Sequence, residues 1–182
     1  MSLITYNGIV DLIEAGVIKN TSSEMINAAS LDVRLGSTML RENVSRGDVV
    51  DLASKQVPAM SEIGIQPDGT WWLLPKEFAL ASTMEVFNLP NDVACEFRLK
   101  SSLARAGLDA ALAMWGDPGW HGSVMTLELI NNLNQHVLAL KPGMKIGQMI
   151  FLFGEEVPEL QSYAYKGQYN NDKQTQPSKG VR

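Results

Sequence analysis

The apolar content of residues 71–153 is cut into strand-length pieces, which limits the fold more than any other feature of the sequence. Apolar runs fall at 71–74, 78–82, 92–99, 124–130, 136–140 and 149–153. Between them stand the turn signals Pro67-Asp68-Gly69, Leu89-Pro90-Asn91-Asp92, Asp117-Pro118-Gly119 and Lys141-Pro142-Gly143. Many short strands with frequent turns predict a mostly β sandwich, barrel or jelly roll. Upstream, Ser30-Leu31-Asp32-Val33-Arg34-Leu35 alternates polar with apolar residues, as a half-buried strand does. Ile9, Leu12, Ile13 and Gly16 have helical spacing, which predicts a short N-terminal helix capped by Asn7 and stopped at Gly16. Residues 101–106 read as one helical turn. Residues 158–182 are polar and poor in aliphatic side chains, so alone they should be mobile. No repeat or long linker divides the 182 residues, and one domain with a tail is expected.

Composition removes several function classes. A net charge of −5 argues against a general nucleic-acid binder, so an anionic ligand needs a local cationic cluster. One cysteine, Cys95, excludes an internal disulfide framework and reads as a buried small hydrophobe. His121 and His136 are the only histidines, too few with one cysteine for an ordinary zinc site, and both read as surface residues. There is no apolar run of membrane-spanning length and no signal-like N-terminus, so a cytoplasmic protein without membrane contact is expected.

Two stretches could carry chemistry. In Lys100-Ser101-Ser102-Leu103-Ala104-Arg105, two hydroxyls between two cations could hold a phosphate, or could form an ordinary capped turn. On a strand, Thr126, Glu128 and Ile130 share one face, and Leu127 and Leu129 the other. Glu128 is then either an exposed-face residue or a buried carboxyl of raised pKa suited to acid–base work. Asp117, before Pro118-Gly119, is by default a turn residue.

Taken in order, these pieces resemble the dCTP deaminase family of the trimeric dUTPase-like superfamily. The resemblance runs through Ala28–Gly36, Pro75–Glu85, Leu89–Asp92, Ser101–Leu108, Asp117–Trp120, Thr126–Leu129 and Pro142–Gln148. It implies a distorted β-barrel or jelly-roll-like dUTPase-like subunit with a flexible C-terminal lid over residues 158–182. It also implies a homotrimer with sites between subunits, and zinc-independent deamination of dCTP, or a closely related deoxycytidine nucleotide, to dUTP and ammonia. Mg²⁺ would arrive with the triphosphate rather than in a protein cage. Glu128 matches the catalytic glutamate, and Arg105 the arginine that organises the site. Ser101, Ser102 and Lys100 match triphosphate ligands, and Asp117 a residue near sugar and phosphates. Thr126, Tyr165, Gln168 and Ser178 complete the expected binding set. Lys100 stands where arginine is usual, Gln168 and Asp172 replace an expected lysine and glutamine, and Ala110–Trp115 lacks the usual His and Thr. The resemblance leaves two alternatives: dUTP diphosphatase or bifunctional action giving dUMP and pyrophosphate, and a non-catalytic nucleotide-binding homologue.

Overall fold

The computed structural model describes residues 1–43 and 49–180. The first half contains β1 (Ser2–Leu3), α1 (Tyr6–Glu14), β2 (Ile18–Lys19), β3 (Leu31–Arg34), β4 (Leu40–Glu42), β5 (Met60–Glu62), β6 (Trp71–Leu73) and β7 (Phe78–Asn88). The second contains β8 (Val93–Leu99), α2 (Ser101–Arg105), β9 (Leu108–Ala110), β10 (Trp115–Gly116), β11 (His121–Asn131), β12 (Leu138–Leu140), β13 (Lys145–Phe153) and α3 (Tyr163–Lys166). One sheet runs β1-β13-β8-β10, with β3 also paired to β13. A larger one runs β5-β4-β7-β11-β9, with β2 also paired to β7, and β12-β6 form a small third sheet.

The mostly β expectation holds, but the sheets do not close into a barrel; they meet at a corner. The corner lies in β7. Val124 pairs with Val86 and Thr126 with Ser82, so Thr83, Met84 and Glu85 bulge opposite Met125 alone. Extra residues on one strand bend it and raise its twist. At the bulge Thr83 bridges to Leu35, just past the end of β3. The Gly36 amide donates to the Ser82 carbonyl at 2.7 Å. A Cβ on Gly36 would lie 2.7 Å from Ser82 Oγ, so only glycine permits that approach.

Buried charge fixes the same corner. Glu85 is fully buried; its carboxylate accepts from the Arg34 amide and from Arg34 Nε, each at 2.9 Å. The alternation in β3 therefore does not mark a solvent-facing side. Asp32 is also buried, and accepts from Lys100 Nζ at 2.8 Å, Lys145 Nζ at 2.9 Å and Asn27 Nδ2 at 2.9 Å. Burial alone would raise its pKa, but these three donors outweigh burial and hold it well below the usual carboxylate range.

The inner faces pack one core around Trp71, Phe87, Phe151, Leu31, Leu127, Leu129 and Ile146. Trp120 stacks on Phe87 with ring centroids 5.6 Å apart. Cys95 is buried as expected, and burial pushes its thiol pKa up. Helix α1 starts two residues earlier than the Asn7 cap implies: Thr5 holds the extended N-cap position, and its carbonyl accepts from the Ile9 amide. Gly16, with φ +72°, follows the helix end as expected. No helix among the described residues is long and apolar enough to cross a membrane.

Two stability predictions follow from the buried pairs. Arg34→Met strands the Glu85 carboxylate and should cost about 3 kcal/mol in urea unfolding, more than Glu85→Gln costs, because the arginine can reach water and the glutamate cannot. Asp32 has a depressed pKa, so its stabilisation is full above the unfolded value of about 4 and fades as pH falls further. Asp32→Asn should cost about 2 kcal/mol at pH 7, with the deficit shrinking in unfolding curves taken progressively below pH 4.

Candidate active site

The long β7–β11 pair carries the candidate site on its outer face. Leu127 and Leu129 point into the core and are fully buried, while Thr126, Glu128 and Ile130 lie half-buried on the other face, as the alternation predicts. Glu128 sits opposite Leu80 on β7, and its carbonyl accepts from the Ala111 amide at 3.0 Å. Its side chain enters a cavity of about 500 Å³. Glu128 Oε2 is buried without a hydrogen-bond partner. Burial raises the Glu128 pKa above its ordinary value, opposed only in part by a hydrogen bond from its own backbone amide. The carboxyl is thus placed to take or give a proton rather than to hold a structure together.

The cavity has two chemically different sides. Pro58, Met60, Phe78 and Leu80 supply apolar lining from β5, β7 and the segment before β5; Thr126, Asp172, Gln176 and Ser178 supply polar groups, and the aromatic rings of Trp115, Trp120, Tyr163 and Tyr169 also line the cavity. The polar wall exists because the tail is laid against β11. The Val124 amide donates to the Asp172 carbonyl at 2.9 Å, the Gln176 amide to Thr126 Oγ1 at 3.2 Å, and Trp120 Nε1 to the Tyr169 carbonyl at 2.7 Å. Thr175 is buried, its hydroxyl donating to the Thr38 carbonyl. Lys179 closes the tail on itself: its ammonium contacts Asp172 Oδ2 at 2.8 Å and lies 4.7 Å from the Tyr169 ring centroid. The segment read as mobile on composition is thus held here by backbone partners on the body; residues 181 and 182 lie outside the described residues.

The expected site residues divide into two groups. Glu128, Thr126 and Ser178 meet in the cavity. Ser101, Ser102 and Arg105, on α2, are exposed and do not line it. Lys100 is hydrogen-bonded to Asp32, which it shares with Lys145, and it does not line the cavity. Asp117 is exposed beside the cavity, accepting from Trp115 Nε1 at 2.8 Å. Gln168 contributes its carbonyl to Lys179 Nζ. Tyr165 is 68% exposed and off the lining, where Tyr163 and Tyr169 stand instead. Choosing among the tail tyrosines needs the turn at Gly167, where a Cβ would lie 2.1 Å from the Tyr163 ring; packing there keeps Tyr163 against the body. The resemblance already marked Asp172 as a lid residue, whereas the inward place of Gln176 had no sequence signal beyond the tail's polarity.

Among the described residues no group of three or more His, Cys, Asp or Glu side chains is placed to hold a metal ion.

The geometry can be set beside known proteins. Residues 3–154 match the family model described as dCTP deaminase-like. A protein of Bifidobacterium longum named "dCTP deaminase, dUMP-forming" is 41% identical over 145 residues, covering 79% of this chain and 74% of its own. One of the same name from Acidothermus cellulolyticus is 38% identical over 159 residues, covering 85% and 82%. Among solved structures, the 2'-deoxycytidine 5'-triphosphate deaminase of Agrobacterium tumefaciens aligns over 84% of this chain with TM-score 0.62 and 20% identity, which supports the fold. This chain spans about half (48%) of that protein's length. Sequence and fold agree, and the chain belongs to the dCTP deaminase-like family of enzymes.

Proposed function

We propose that the protein deaminates dCTP hydrolytically and then releases diphosphate, giving dUMP. The observation that carries the first step is Glu128, buried and unpartnered at Oε2 with a raised pKa, on the wall of a cavity roofed by the tail. A carboxylate in this setting takes a proton from water and delivers it to N3 of the cytosine ring. Hydroxide adds at C4, the amino group leaves as ammonia after taking the second proton, and dUTP is formed. The relatives' printed names favour a second hydrolysis: water attacks phosphorus, giving dUMP and pyrophosphate. That replaces dUTP, expected from the resemblance, as final product. Asp117, beside the cavity and held by Trp115, is the proposed residue for orienting that water. Mg²⁺ would enter bound to the triphosphate.

Charge supports a site completed by a neighbouring copy, as in the homotrimer the resemblance implies. The described residues lining the cavity include two carboxylates, Glu128 and Asp172, and no lysine or arginine. A triphosphate needs cations, and Ser101, Ser102 and Arg105 stand exposed on α2 without side-chain hydrogen bonds among the described residues. The site is complete if α2 of a neighbouring copy reaches the cavity mouth, with Arg105 steadying the phosphates and the attacking oxygen.

Five outcomes are expected. Incubation with dCTP and Mg²⁺ should give ammonia, dUMP and pyrophosphate in equal amounts. Glu128→Gln should lower ammonia release by about 10³-fold, and accumulation of dUTP instead of dUMP would remove the second step. The pH profile should show an acid limb above the ordinary carboxylate range, because the base must be ionised and burial holds its pKa up. Above that pKa the buried charge costs stability, so Glu128→Gln should raise the melting temperature at pH 8, with the difference closing as pH falls through the limb. Mixing inactive Glu128→Gln with inactive Arg105→Ala subunits, unfolded and refolded together, should restore part of the activity; no recovery would place both residues in one subunit's site.

A further inference from the structure

We propose that the cavity takes deoxycytidine triphosphates carrying a small substituent at C5 of the base, 5-methyl-dCTP first among them, about as well as dCTP itself. The inference rests on the deaminase reading and extends it to a second substrate class. Its basis is the division of the cavity into two walls. The polar side chains of the lining besides Glu128 come from β11 and the tail, Thr126, Asp172, Gln176 and Ser178, set among the tail's Tyr163, Tyr169 and Pro177. The neighbours toward β5 and β7 are hydrocarbon or thioether: Met60, Phe78 and Leu80, with Pro58 behind. Leu80 is directly opposite Glu128 across the ladder, a placement that leaves the two Cβ atoms about 4.5–5.5 Å apart.

Cytosine has matching sides. N3, the 4-amino group and O2 are polar and need partners; the C5–C6 edge is its one apolar edge. Glu128 must reach N3 and direct water to C4, and C5 is bonded to C4. With the polar groups turned to Glu128 and the tail, C5 faces the Met60–Leu80 wall. That wall has no side-chain donor or acceptor that a methyl group would leave unpaired. Rejection would have to come from shape alone, and one methylene in an apolar pocket alters discrimination by only about 10–200-fold at most. Here the wall is adaptable as well. Met60 is half-buried at the end of the short strand β5, and an unbranched thioether can move to admit a methyl group. A methyl group meeting this wall leaves water, which favours binding.

The test compares kcat/KM for dCTP and 5-methyl-dCTP, with products identified by chromatography, in the full-length protein with Mg²⁺. The ratio is expected to lie within about tenfold of unity, since the wall offers no polar group to discriminate. Met60→Phe replaces the adaptable side chain by a rigid ring and should lower the ratio of 5-methyl-dCTP to dCTP at least several-fold. Binding of both nucleotides to Glu128→Gln, measured by calorimetry, gives a readout independent of turnover, and 5-methyl-dCTP should bind at least as tightly. Turnover of dCTP with rejection of 5-methyl-dCTP by 100-fold or more in both assays would overturn this inference and leave the deaminase reading standing. A folded protein that deaminates neither nucleotide would overturn both.

Discussion

The bulge in β7 is the constraint on which the other features depend. Without the extra residues Thr83–Glu85, β7 would continue flat past Met125, and the sheet containing β11 would have no route to β3. The bend holds because three separate requirements are met in one place. Gly36 lets two backbones approach, Thr83 Oγ1 accepts from the Met125 amide that the bulge would otherwise orphan, and Glu85 is neutralised by Arg34. Beyond the bulge the ladder resumes with Thr126 on Ser82 and Glu128 on Leu80. A one-residue slip there would turn Glu128 into the core and Leu127 outward. The same buried pair that joins the sheets therefore sets which side of β11 carries the chemistry.

Three buried or half-buried carboxylates show how environment divides labour. Glu85 and Asp32 are surrounded by donors and serve the fold: one joins the sheets, the other ties Lys100 and Lys145 to β3. Glu128 has neither cation nor donor at Oε2. Burial outweighs the one backbone hydrogen bond that favours its charged form, which is costly to stability and is the setting the proposed acid–base role needs. The tail has a matching role: by trading its own backbone hydrogen bonds for bonds to Val124 and Thr126, it removes water from the carboxyl's surroundings.

Local pattern made much of this legible in the sequence. The strand pieces, the turn glycines and the alternation that turns Glu128 away from Leu127 and Leu129 all follow from two-residue periodicity and turn chemistry. The parts that were not legible depend on contacts between distant residues. Polar Thr83 and Glu85 ended the apparent strand at Ser82, although β7 runs on to Asn88, because their partners Met125 and Arg34 lie far away in sequence. The Lys100–Asp32 pair was not legible because the two residues are 68 positions apart. The tail read as mobile because composition does not register hydrogen bonds to another strand. The family resemblance supplied Tyr165, but the turn at Gly167 brings Tyr163 and Tyr169 to the cavity.

The central claim is that water activated at Glu128 replaces the amino group at C4, and turnover of dCTP in ¹⁸O-labelled water tests it most directly. Mass spectrometry of the nucleotide product should show one heavy oxygen on the uracil ring, formed with one equivalent of ammonia, and neither should appear with Glu128→Gln. Heavy oxygen found only on phosphate, with the cytosine ring unchanged, would contradict the account.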